Sequence, residues 1–184
     1  PMDAVPTLTT PDSLAAAGLL DGEEAQALRA VADRYAIAIP PALHHAMRET
    51  GLDGPLGRQF IPSARELITT PEERGDPIGD HAHSPARGIV HRYPDRALLK
   101  LTHVCAVYCR FCFRREMVGP GGDALDEAEL AAALDYIRAN TGIWEVILTG
   151  GDPFMLSPRR LGAIIAALDA IPHVGAIRIH TRVP

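Results

Sequence analysis

Lysine is almost missing from this sequence: Lys100 stands alone against seventeen arginines in 184 residues. A bias of that kind reflects codon composition, and it leaves a single lysine amine for carbonyl chemistry. Long apolar runs are missing too. No stretch of about 18 apolar residues could span a bilayer, and the N-terminus lacks the charged-then-apolar order of a signal peptide. The expectation is a cytoplasmic protein without a membrane partner. Excess positive charge is the third absence. A net charge of −5 and a pI near 5.9 leave no general basic field, so nucleic acid is not an expected partner. Cysteine is scarce and oddly placed, because all three thiols fall inside the eight residues from Cys105 to Cys112. An odd, tightly spaced set is a poor disulfide framework and a better set of reduced metal ligands. What remains, 47% hydrophobic and 22% charged, is enough to bury one ordinary core.

The chain divides by pattern. Ser13 is placed to cap a helix over 14–20, and Asp21-Gly22 breaks it before a second helix over 23–35, where Ala25, Leu28, Val31 and Ala32 recur at helical spacing. A short helix fits 41–50. Residues 51–88, rich in Gly, Pro, Asp and His, read as a long irregular connection and the expected domain boundary. Periodicity then changes. Strands are predicted over 97–103, 144–148 and 176–180, with a helix over 126–140 and another from Ser157-Pro158 to about residue 171. Strand, helix, strand, helix, strand implies an α/β fold with parallel pairing. The expected division is 1–88, helical region and linker, and 89–184, three βα units.

The chemistry concentrates at the strand ends. Cys105-Ala-Val-Tyr-Cys109-Arg-Phe-Cys112 follows the first strand at its C-terminal end, where α/β folds place active sites. Three thiolates cannot satisfy four irons, so a [4Fe–4S] cluster held here keeps one iron open. A structural zinc completed by His103 or another histidine, in a binding module without catalysis, fits the cysteines alone equally well. Thr149-Gly150-Gly151-Asp152-Pro153 follows the second strand. It serves either as a plain turn or as a loop whose glycines let the backbone approach a ligand. His44, His45, His81 and His83 are scattered in or near irregular sequence and carry no assignment.

With Phe111 as the aromatic of C-x₃-C-x-Φ-C, this loop resembles the signature of the radical S-adenosylmethionine (SAM) superfamily. His91-Arg-Tyr-Pro-Asp-Arg96, Cys-Arg-Phe-Cys-Phe-Arg-Arg115 and Arg178-Ile-His-Thr-Arg182 narrow the resemblance to the lysine 2,3-aminomutase family, including its elongation factor P β-lysylation branch. The resemblance implies about half of a partial (β/α)₆ barrel. It further implies that Cys105, Cys109 and Cys112 hold the cluster, and that SAM chelates its open iron. By the same resemblance Phe111, Gly150, Gly151 and Asp152 contact SAM, Arg92, Tyr93 and Arg96 hold pyridoxal phosphate (PLP), and Arg114 pairs with a substrate carboxylate.

The implied activity is an isomerase that moves an α-amino group to the β-carbon of lysine, a lysine derivative or another amino acid. An electron donor such as flavodoxin or ferredoxin is the implied partner, and homo-oligomerisation is left open. Since the family barrel has six units and only three strands are legible here, the expectation is a fragment. The family lysine that anchors PLP and the acids that grip the distal ammonium are not among these residues.

Overall fold

The computed structural model describes residues 6–119 and 123–182; Pro1, Val183 and Pro184, where the expected domains begin and end, lie outside them. Two compact units form. One comprises residues up to 77 together with 106–119, and the other comprises 78–105 with the residues from 120 onward.

The first unit is helical. It contains α1 (Pro11–Ala16), α2 (Gly22–Ala27), α3 (Arg29–Arg34), α4 (Pro41–Thr50) and α5 (Pro55–Phe60). Thr10, not Ser13, caps α1: the Thr10 hydroxyl accepts the Ser13 amide while the Ser13 hydroxyl accepts the Thr10 amide. Asp21 and Glu24 close the same reciprocal box at α2. The single helix expected over 23–35 is interrupted at Leu28, where ψ flattens to −3° and one residue serves as the C-cap of α2 and the N-cap of α3. The helical stripe persists across the break because Leu28, Val31 and Tyr35 pack together. The connection after residue 50 is more structured than its composition suggests. It holds α5 and a 3₁₀ turn at Ala64–Leu67, capped by Ser63. Leu14, Ile37, Ile39, Met47 and Phe60 form the core of this unit, and Val107 and Cys109 pack against it.

The second unit is an open sheet in the order β1-β2-β3-β4, built from Ile89–Tyr93, Arg96–Thr102, Glu145–Gly150 and Ala176–Ile179. Parallel pairing of β2 with β3 and of β3 with β4 matches the alternation predicted from sequence. The strand β1 was not expected. It pairs antiparallel with β2 through a two-residue turn at Pro94-Asp95, which brings Tyr93 opposite Arg96. Pro94 falls where no ladder N–H is required.

Helix α6 (Glu127–Ala139) begins at Asp126 in a capping box with Glu129, and α7 (Pro158–Asp169) begins at Ser157 with proline in its first turn. Strand alternation sends Ala97, Leu99, Leu101, Val146 and Leu148 to one face. There they meet Ala133, Leu134 and Ile137 of α6 and Leu161, Ile164 and Leu168 of α7. Leu98, Lys100, Thr102, Glu145, Ile147, Thr149 and Arg178 take the opposite face by the same alternation. One apolar face clad in helices and one polar-rich face is the division expected of a partial βα barrel, whose chemistry lies on the inner side. Among the described residues no helix is long and apolar enough to cross a membrane.

Leu148 is fully buried at the centre of this core. Leu148→Ala is expected to lower unfolding stability by about 2–5 kcal/mol, read by denaturant titration, because the residual cavity cannot collapse between two helices.

Candidate functional site

The parallel register of β2 and β3 brings two loops together within the second unit. Lys100 lies opposite Thr149 and Thr102 opposite Gly150, so the chain leaves both strands at the same end. Beyond the strands the pairing continues: the Gly151 amide donates to the Thr102 carbonyl at 2.5 Å and the Asp152 amide to the Val104 carbonyl at 2.9 Å. The residues just ahead of Cys105 are thus stitched to the glycine loop.

Packing by itself accounts for the two glycines. Gly150 has φ of +115°, a conformation that side chains rarely adopt. A Cβ on Gly150 would run into the Thr102 carbonyl oxygen, and one on Gly151 into the Val104 backbone. The requirement arises from close passage over β2, whether or not a ligand is bound.

Asp152 is buried, and its carboxylate is already shared among internal donors. It accepts the Phe154 amide at 3.0 Å, the Thr181 hydroxyl at 2.8 and 2.9 Å and the Arg182 amide at 2.9 Å. Asp152 therefore clasps the loop after β3 to the segment after β4. The sequence offered no local signal for this, since its partners are about thirty residues away.

The cysteine segment is divided between the units. Cys105 follows β2 in the second, whereas Cys109 and Cys112 belong to the first. All three thiols are half-buried. Among the described residues, no three His, Cys, Asp or Glu side chains are gathered closely enough to hold a metal ion. The donors nonetheless fit a cluster chemically, being three thiols on a short segment with only turns between them. Phe111 is largely exposed. Arg114 is buried, with its guanidinium 4.5 Å from the centre of the Phe113 ring.

Arg92, Tyr93 and Arg96 occupy a different region. Arg96 opens β2, so it lies some 20 Å along the strand from the glycine-loop end, at about 3.3 Å per residue. Its fork is bidentate to Asp95 through Nε and Nη2 at 3.0 and 2.7 Å, and the third nitrogen, Nη1, lies 3.7 Å from buried Glu145. The Arg96 hydrogen bonds hold the Asp95 carboxyl below the usual carboxylate range. Arg178 also approaches Glu145 at 2.6 Å, although off the line of a hydrogen bond. Arg92 donates to the Ile78 carbonyl and lies 3.7 Å from buried Asp80. Tyr93 is exposed. Both guanidinium groups thus face carboxylates, and these residues do not form a phosphate cradle as they stand.

Gly151→Ala is expected to destabilise the second unit by about 1–3 kcal/mol, the usual scale of overpacking, as read by thermal unfolding. Full stability in that variant would mean that the loop can lift from β2 without cost.

Residues 99–184 match the Radical SAM superfamily. The chain is 36% identical to the L-lysine 2,3-aminomutase of Acetoanaerobium sticklandii over 90% of its own length and 40% of the relative's. It is 35% identical to that of Escherichia coli, covering 96% of this chain and 52% of the relative. It is 34% identical to the glutamate 2,3-aminomutase of Clostridioides difficile, covering 95% and 41%. The chain spans about 40 to 50% of the length of these relatives. By these matches the chain belongs to the radical SAM superfamily, as kin of the lysine 2,3-aminomutases.

Proposed function

We propose that this chain carries the cluster- and SAM-binding part of a radical SAM isomerase that shifts an amino group between adjacent carbons of an amino acid. The observation that carries the reading is the stitching of the Val104-Cys105 segment to the Gly150-Gly151 loop at one end of the parallel strands. Cys105, Cys109 and Cys112 would hold the cluster as thiolates. A cluster so held, with SAM on its open iron, supplies the single electron that starts radical chemistry.

The chain's own residues do the positioning. Gly150 and Gly151 keep a flat, side-chain-free backbone at the strand ends, and Asp152 holds that backbone from behind rather than spending its carboxylate on a ligand. Phe111, exposed between two of the cysteines, offers an apolar face to an adenine or methionine moiety. Arg114 is the cation for a substrate carboxylate, a group common to every α-amino acid. Lysine is the substrate class favoured by the names of most relatives. A glutamate mutase at nearly the same identity means that resemblance alone does not separate the two. A flavodoxin- or ferredoxin-type protein is the proposed electron donor.

Amino migration in this family calls for PLP, but the Arg92 and Arg96 forks do not fit its phosphate while paired with Asp80 and Asp95.

Replacing any one of the three cysteines by alanine is expected to abolish iron and sulfide retention after anaerobic reconstitution, since two thiolates leave a second iron without a protein ligand. Full iron content in one variant would remove that cysteine from the site. Lys100 is buried in mid-strand, where its backbone N–H bonds the Gly88 carbonyl. Borohydride reduction of a mixture with PLP is therefore expected to leave Lys100 unlabelled by peptide mapping. Stoichiometric labelling there would place the cofactor on this chain.

A further inference from the structure

We infer that Glu66, in the irregular connection, is a positioning residue for the metal-binding segment: its carboxylate braces Arg110, and Arg110 fixes the backbone that carries Cys109 and Cys112. The inference rests on the reading of those cysteines as cluster ligands.

The brace lies wholly within the first unit. Arg110 Nε donates to Glu66 Oε1 at 3.0 Å and Arg110 Nη2 to Oε2 at 2.6 Å, a two-pronged pair. Both side chains are about nine-tenths buried. Arg110 Nη1 donates to the Ala36 carbonyl at 2.6 Å, and the Arg110 amide donates to the Gln59 carbonyl at 2.7 Å. One residue between two cysteines therefore makes four hydrogen bonds to three separate parts of the helical unit. Glu66 is itself held, since its Oε1 accepts the Ser63 amide at 2.9 Å in the capping box of the 3₁₀ turn. Arg115 adds a second cation 3.7 Å from Glu66.

An isolated buried ion pair is a weak reason for stability, because desolvation offsets the attraction. A fork closed on a carboxylate and one carbonyl, with the backbone amide of the same residue on a second carbonyl, is a strong reason for one backbone geometry. Fixed geometry is what a metal segment without regular structure needs. In the tripeptide Arg110-Phe111-Cys112 the arginine turns inward and Phe111 is left outside. The Cys112 amide bonds the Cys109 carbonyl at 3.1 Å, which makes a tight turn between the two thiols. Without the brace, ordering this turn would fall to the metal alone, and the cost would appear as weaker iron retention.

The test uses the whole chain with Glu66→Gln, Arg110→Lys and Glu116→Gln. The last variant breaks a more exposed ion pair of the same unit, Glu116 with Arg34 at 3.0 Å, and serves as a matched control. Amide hydrogen exchange is measured without metal, and iron loss to a chelator is measured after anaerobic reconstitution. Glu66→Gln and Arg110→Lys should speed exchange at the Arg110 and Cys112 amides. They should also speed iron loss about tenfold or more, the scale on which supporting contacts tune metal affinity. Glu116→Gln should alter neither. Exchange and iron loss at parental rates in Arg110→Lys, or equal effects in Glu116→Gln, would overturn the brace even if Glu66→Gln failed to fold. A parental chain that holds no iron would sink the cluster reading instead, and the exchange rates would still decide whether the brace exists.

Discussion

Parallel pairing of β2 with β3 is the constraint on which the candidate site depends. Two strands that run the same way release their chains at the same end, and here the ladder extends past the last strand residues into two hydrogen bonds from Gly151 and Asp152. Those bonds require backbone on backbone with nothing between, which is why two glycines stand there. The helices α6 and α7 hold the pairing in place by covering one face of the sheet, so the polar residues are collected on the other.

Two kinds of hold meet on the short stretch from Thr102 to Cys112. The first cysteine follows a segment stitched to the sheet's glycine loop, and the next two lie on a turn fixed by an inward arginine. Polar contacts of unusual multiplicity serve both. Asp152 accepts from three residues in two segments, and Arg110 donates to three. Groups so fully engaged inside the protein are poor candidates for direct ligand contact and good ones for keeping other groups in place. Asp152, for which family resemblance implies a ligand contact, is seen in this structure as a clasp between loops.

What was legible in the sequence was what local periodicity encodes. The strands from Ala97, Glu145 and Ala176 and the helices after Asp126 and Ser157 carry their own hydrophobic patterns and caps, and each formed close to its expected bounds. The strand Ile89–Tyr93 was missed because its alternation is brief and runs into Pro94, although Pro-Asp between two β-rich runs was the available turn signal. The break at Leu28 leaves no mark in composition. Glu66 was illegible in principle. Nothing near it in sequence distinguishes a brace from a solvated acid, and its partner is 44 residues away. The superfamily could be read from three cysteines and one glycine pair, whereas the engagement of Arg92 with Asp80 could not, because ion pairing across a loop is a property of the fold.

The central claim, that the three cysteines hold a cluster with one iron open to SAM, is tested most directly by electron paramagnetic resonance of the anaerobically reconstituted and reduced chain, with and without SAM. The account predicts a reduced [4Fe–4S] signal whose g values shift when SAM is added, because a new ligand reaches the open iron. A colourless protein holding one tightly bound zinc, with no paramagnetic signal in either sample, would contradict it.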